Sequence, residues 1–155
     1  MGYCSDVRIA TTKEGFEKIK QLVPKIYEEN WKSLVEEAKR DKKEIKQDKY
    51  TVTIDHVIYS KHTDLMEDPT LVLATSKDGK YVIFGWDGLK WQGYMHMERK
   101  SYEKAFEMCG EPVRSVSIGE DEVSECLQWG EDDYDMPYLE VVTQFDYEDK
   151  WEFNK

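Results

Sequence analysis

Residues 77–91 read KDGKYVIFGWDGLKW, and the fold follows from how that stretch is paired. Asp78-Gly79 between two lysines is a strong local hairpin signal, because a two-residue type I′ turn needs positive φ at both central positions. Such a turn sets Thr75 opposite Val82, Leu73 opposite Phe84 and Leu71 opposite Trp86, and directly opposed residues share a face of the sheet. That face is apolar almost throughout, and Val72, Ala74, Tyr81 and Ile83 make the reverse face nearly so. The pair therefore belongs at the centre of a sheet, covered by other elements. Asp87-Gly88 offers a second bend before Trp91.

Upstream, Val7 and Ile9 alternate with Asp6, Arg8 and Ala10, which predicts a short strand over 6–10. Thr11 follows as an N-cap, with Glu14 three residues on completing a capping box. Phe16, Ile19, Leu22, Val23, Ile26, Tyr27, Trp31, Leu34, Val35 and Ala38 then recur at three- and four-residue spacing, one apolar stripe along a long helix. Pro24 interrupts it. A proline there removes a hydrogen bond at a cost of about 3 kcal/mol, so the expectation is either a kink near Gln21 or two helices meeting. The run KRDKKEIKQDK (39–49) reads as a solvated helix end or loop, and 50–60 alternates as one strand.

Downstream, 94–109 reads as a second helix that turns Tyr94, Met97 or Ser101, Tyr102, Ala105, Phe106 and Cys109 inward. Gly110 and Pro112 end it, an αL cap followed by a residue that cannot continue. Residues 113–118 predict a strand. Residues 123–129 fit a strand or a helical turn, and the even spacing of Val123, Leu127 and Trp129 favours the strand. GEDDYDM (130–136) is an acidic loop, a last strand runs from Pro137 or Tyr138 to Tyr147, and the tail DKWEFNK keeps two aromatics that can pack back. The expected architecture is one α+β domain over 1–155, a two-layer sandwich of a mostly antiparallel sheet with two helices on one face. The ferredoxin-like split β-α-β pattern is its nearest named variant.

A chain of 155 residues, 39% hydrophobic and 13% aromatic, can bury a core without staples. It has no long apolar run and no basic segment followed by an apolar one at its start, so neither a membrane span nor a signal peptide is expected, and the expected location is the cytoplasm. Cys4, Cys109 and Cys126 are too few and too scattered for a disulfide framework and suit a reducing compartment.

The net charge of -11 is unevenly placed: residues 1–119 hold 20 Lys and Arg against 20 Asp and Glu, while residues 120–155 hold 2 against 13. A field of that sign repels nucleic acid and anionic membrane and attracts cations or basic partners.

Catalytic signatures are not legible. His56, His62 and His96 fall in different elements without HExxH or CxxC spacing. His96-Met97-Glu98 imitates half of a nucleotide-deaminase signature, but Cys109-Gly110-Glu111-Pro112 does not supply the other half. Cys4 has no histidine in its local motif, so a small packed thiol is the plainer reading. Gly85-Trp86-Asp87-Gly88 places an acid where a phosphate loop wants bare amides. The acids at 120–122 and 131–135 lack calcium-loop spacing. No metal and no cofactor is expected, and the balance leans away from an enzyme.

A solvated face is the plain explanation of the acidic run. The sharper one is a docking surface, with Glu131, Asp132, Asp133 and Asp135 supplying attraction and Tyr134, Tyr138 and Trp129 supplying contact area. Carboxylates spread along such a surface can also mimic a nucleic-acid backbone.

The opening Gly2-Tyr3-Cys4-Ser5-Asp6-Val7 resembles the Gly-Tyr-x-Ser-Asp-Val start of small proteins encoded by tailed phages and prophages. Residues 84–91 (FGWDGLKW) and 117–121 (SIGED) are similar to later stretches of the same group. Cys4 stands where that group carries Arg, and the charged segment after Ala38 is an expansion. The resemblance carries no catalytic residues. It implies an accessory phage protein in a bacterial cytoplasm, where inhibitors of host defence are a common class.

The function expected is thus a non-enzymatic accessory protein, monomer or homodimer, that binds a host protein with a basic surface, with an anti-defence inhibitor as one form. The alternative is a small enzyme or ligand-binding domain with a pocket between sheet and second helix, using His56, Asp87 or Cys4.

Overall fold

The computed structural model describes residues 4–61, 64–91, 95–121, 123–131, 133, 135–136, 140–141, 145–146 and 151–153. Its elements run β1 (Ser5–Thr12), α1 (Lys13–Arg40), β2 (Ile45–Gln47), β3 (Thr51–Ile54), β4 (Val57–Ser60), a 3₁₀ turn (Leu65–Glu67), β5 (Val72–Ser76), β6 (Tyr81–Leu89), α2 (His96–Met108), β7 (Val113–Gly119), β8 (Ser124–Trp129), β9 (Glu140–Val141), β10 (Phe145–Asp146) and β11 (Trp151–Phe153). A six-stranded sheet has the order β11-β5-β6-β1-β7-β8, and β2-β3-β4 and β9-β10 form two smaller sheets. The fold is α+β. Every described pairing is antiparallel, so β1 and β5, which flank β6, run parallel to each other, as do β6 and β7, which flank β1.

The central hairpin has the expected register, Leu73 opposite Phe84 and Thr75 opposite Val82, but Leu71 lies ahead of β5. Its turn differs. Only Gly79 takes positive φ, at 76°, and its N–H donates to the Ser76 carbonyl at 2.9 Å, which makes a four-residue loop. The Asp78 carboxylate accepts from the Ser76 hydroxyl at 2.6 Å and the Lys80 N–H at 3.0 Å, holding Asp78 out of the left-handed conformation that a type I′ turn demands. The bend at Asp87-Gly88 is a bulge inside β6: the pairing with β1 slips between Ser5–Leu89 and Val7–Trp86, and Gly88 has φ 67°.

β1 runs further than its alternation suggested, pairing through Thr12, and this moves the helix cap by one residue. Thr12 accepts from the Gly15 N–H at 3.0 Å, whereas the Thr11 hydroxyl donates to the Pro112 carbonyl at 2.9 Å. Glu14 is then out of step for a capping box. Pro24 does not split α1, which is continuous. Burial on both sides of the proline offsets the missing hydrogen bond: Phe16, Ile19, Val23 and Ile26 pack over the large sheet, and Trp31, Val35 and Ala38 over Val52 and Ile54 of the small one. At 1.5 Å per residue the helix is about 42 Å long, long enough to serve both sheets.

Residues 50–60 are a hairpin, not one strand. Asp55 and His56 both take positive φ, 46° and 72°, and Ile54 pairs with Val57. Part of the solvated run, 45–47, joins them as β2. The single last strand expected over 137–147 is instead two short strands, β9 and β10, paired with each other; 137–139, 142–144 and 147 lie outside the described residues. The tail does return, as β11 on β5.

One face of the large sheet meets both helices through Val7, Ile9, Val82, Phe84 and Trp86. Trp86, fully buried, has its ring edge-on to Phe84 and to Tyr102 of α2, and its indole N–H donates to the Leu65 carbonyl at 2.8 Å, which pins the 3₁₀ turn over the core. On the reverse face Ala10, Ala74, Tyr81, Ile83 and Met136 form a second buried cluster. Gly85 lets β6 approach β1 closely, since a Cβ there would overlap the Val7 carbonyl. α2 ends at Met108 with Gly110 at φ 72°, as expected. The three cysteines are free, and among the described residues no helix is long and apolar enough to cross a membrane.

Candidate functional site

The acids expected to dock a partner do not all face outward. Asp133 is half-buried: its Oδ2 accepts from the Tyr81 hydroxyl at 2.9 Å and its Oδ1 from the Asp135 N–H at 3.0 Å. The Arg114 guanidinium donates to the carbonyls of Asp133 and Met136 at 3.1 and 3.2 Å, clamping this loop to the reverse face of the sheet. Burial of the Tyr81 ring pushes its phenol up to about 12, and the hydrogen bond to Asp133 with the charges of Asp133, Asp135 and Asp78 adds to this. Glu131 and Asp135 are exposed. Asp132, Tyr134 and Tyr138 lie outside the described residues.

Trp129 is turned the other way. It is half-buried on the helix face of β8, with its ring 5.0 Å from that of Phe106. Glu125, also on β8, is ion-paired to Arg99 of α2. Glu120 and Asp121 and the described acids of the 130–136 loop sit at opposite ends of β8, whose six residues span about 20 Å. That is more than twice the screening length in physiological salt, so the two groups act separately.

His56, Asp87 and Cys4 are not brought into one cleft. His56 is exposed in the β3–β4 turn of the small sheet. Asp87 pairs with the buried Arg8 at 2.8 Å, and Cys4 lies 3.5 Å from the Lys90 ammonium, both at one end of the large sheet. Among the described residues no group of three or more His, Cys, Asp or Glu is placed to hold a metal.

A cavity of about 140 Å³ lies elsewhere, between α1, α2 and the 3₁₀ turn, lined by Val23, Pro24, Tyr27, Asp64, Leu65, Glu98 and Tyr102. Glu98 is buried in the first turn of α2, and its Oε1 accepts from the Tyr27 hydroxyl at 2.8 Å. Tyr102 is 1% exposed, and its hydroxyl has no hydrogen-bond partner among the described residues. Burial first, then the charges of Asp64 and Glu98, raises the Tyr102 phenol well above its ordinary value, so it stays neutral. Asp64 stands exposed at the rim and caps the 3₁₀ turn by accepting from the Met66 N–H at 3.0 Å.

Sequence reasoning placed Tyr102 inward but weighed Glu98 only as part of a deaminase-like signature, not as a buried carboxylate. The signal was there: Glu98 and Tyr102 are four apart and share one face of α2, so a carboxylate stands in an otherwise apolar, inward stripe.

No protein-family model, curated relative or solved structure matches this chain.

Proposed function

We propose that this is a non-enzymatic binding protein that docks the basic surface of a partner protein through the acid-rich portion 120–155. The observation that carries the reading is the charge distribution, 13 acids against 2 bases there and balance elsewhere. Carboxylates clustered in sequence as in the 130–136 loop steer a cationic partner during encounter and set the register of docking more than they set final affinity. Glu131 and Asp135 are the described loop acids available for this, with Asp132 beside them in sequence, while Asp133 secures the loop that presents them. A phage-type accessory role, with an anti-defence inhibitor of a nucleic-acid-binding host protein as one form, is supported by the short resemblances at 2–7, 84–91 and 117–121 and by the sign of the charge.

The test is capture from a bacterial lysate at low and high salt, comparing the parent chain with Glu131→Gln/Asp132→Asn/Asp135→Asn. A partner whose association is slowed in the variant and whose salt sensitivity falls with it supports the reading. Capture of the same partner at unchanged rate and unchanged salt dependence ends it.

A further inference from the structure

The cavity under α1 and α2 combines features that point to one class of ligand. At about 140 Å³ it is worth roughly five water molecules of liquid volume, far below the space a nucleotide or drug-sized molecule takes. Among the described residues its lining carries two carboxylates, Asp64 and Glu98, two phenols, Tyr27 and Tyr102, and no basic side chain. Val23, Pro24 and Leu65 supply apolar walls. A buried hydroxyl that meets no donor or acceptor in its own protein costs about 1–3 kcal/mol. Tyr102 carries a hydroxyl that meets none among the described residues, on a ring packed edge-on against Trp86 at the wall of the cavity.

We propose that this cavity binds a primary alkylammonium group, with the ammonium held between Glu98, Asp64 and the Tyr102 hydroxyl and its methylenes against Val23, Pro24 and Leu65. An ammonium brings three N–H donors and no acceptor, the complement of a lining made of carboxylate and phenol oxygens. Hydrogen bonds from a cation to a carboxylate are about twice as strong as neutral ones, which selects the amine over an alcohol of the same shape. A hard divalent cation fits worse, because it needs six or more oxygens or a retained water shell, and three of the seven described lining residues are apolar. The site is separate from the acidic carboxyl-terminal portion and does not depend on it.

The same chemistry is available from a free small amine or from the lysine side chain of another protein, and the experiment separates them. The full chain, with methyl groups labelled for NMR, is titrated with n-butylammonium chloride, with 1-butanol, with magnesium chloride and with sodium chloride at matched ionic strength. Saturable shifts at the Val23 and Leu65 methyls are expected with n-butylammonium, with 1-butanol at least tenfold weaker. Glu98→Gln should weaken amine binding at least tenfold, and Tyr102→Phe, which removes one oxygen, about threefold to tenfold. If Glu98→Gln does not fold, Asp64→Asn carries the comparison, since an asparagine keeps the cap of the 3₁₀ turn while losing the charge.

A second arm uses Nα-acetyl-lysine methylamide and its Nε-acetylated form. Binding of the first alone assigns the site to lysine side chains; binding of n-butylammonium without either assigns it to free amines; both uphold the proposal. Equal binding of 1-butanol and n-butylammonium, unchanged amine binding in the folded charge-removing variant, or displacement of the amine by magnesium at lower concentration would overturn it.

Discussion

Removing the bond between Tyr81 and Asp133 tests whether the acidic loop is built into the fold or merely attached to it. The Tyr81 side chain is buried, the acceptor is half-buried, and the hydroxyl lies 2.9 Å from Asp133 Oδ2. A hydrogen bond to a charged partner contributes about 1.5–3 kcal/mol when fully buried, so half-exposure of the acceptor sets the expected loss for Tyr81→Phe at about 1.5 kcal/mol. For a chain of this size that lowers Tm by about 3–6 °C. Asp133→Ala loses the same bond and the one from the Asp135 N–H, so it should cost somewhat more. The two changes together should cost less than their sum, by about 1 kcal/mol or more, because they share one interaction.

Urea denaturation of the four proteins measures this, and alkali gives an independent reading. The Tyr81 phenol is pushed up from about 10 to about 12 on folding. The folded value lies above the unfolded one, so the contribution of the neutral phenol is intact below pH 10 and disappears as the pH climbs through about 12. The difference in stability between parent and Tyr81→Phe should therefore shrink over that window. If each single variant lies within about 0.5 kcal/mol of the parent and no coupling is found, Asp133 belongs to the docking surface after all.

Three further outcomes follow from the backbone. Gly85→Ala drives a methyl into the Val7 carbonyl between the two central strands and should cost about 3 kcal/mol, seen as a lower urea midpoint at unchanged slope. Pro24→Ala restores a helical N–H at an exposed site and should stabilise by about 2 kcal/mol, less than the full helix penalty because the unfolded chain also loosens; a lower midpoint would contradict the account of α1. His56→Gly relieves a left-handed φ of 72° in the β3–β4 turn and should gain about 0.5–1 kcal/mol by the same assay.

The large sheet was legible where strand chemistry left little choice. Residues 81–86 are apolar on both faces, so pairing with 72–75 in one register buried them, even though the turn that joins them proved different. Gly110 and Pro112 marked the end of α2 for steric reasons that no distant contact can override. The β3–β4 turn was hidden because Asp55 and His56 adopt left-handed backbone without a glycine to announce it; Asp55 is helped by accepting from the Glu44 N–H at 2.8 Å, a partner eleven residues away. Glu14 favours Thr11 as the cap in sequence, and only the length of β1 moves the cap to Thr12. The candidate sites were least legible. Nothing local distinguishes Asp133, turned to Tyr81, from exposed Glu131 and Asp135, and Trp129 reads as a surface anchor until Phe106 is seen against it. Both depend on which faces the sheet offers to the chain that passes over it.

β1 is the innermost partner of β6 and β7, joining Thr12 to Tyr81 and Ser5 to Gly119. During synthesis the earliest strand must therefore wait, unpaired, until most of the polypeptide has left the ribosome, while α1 behind it can form at once. Long closures of this kind slow folding. A nascent chain halted before residue 81 would hold helix and small hairpin but no large sheet, and its Val7 and Ile9 would stand open to any chaperone within reach.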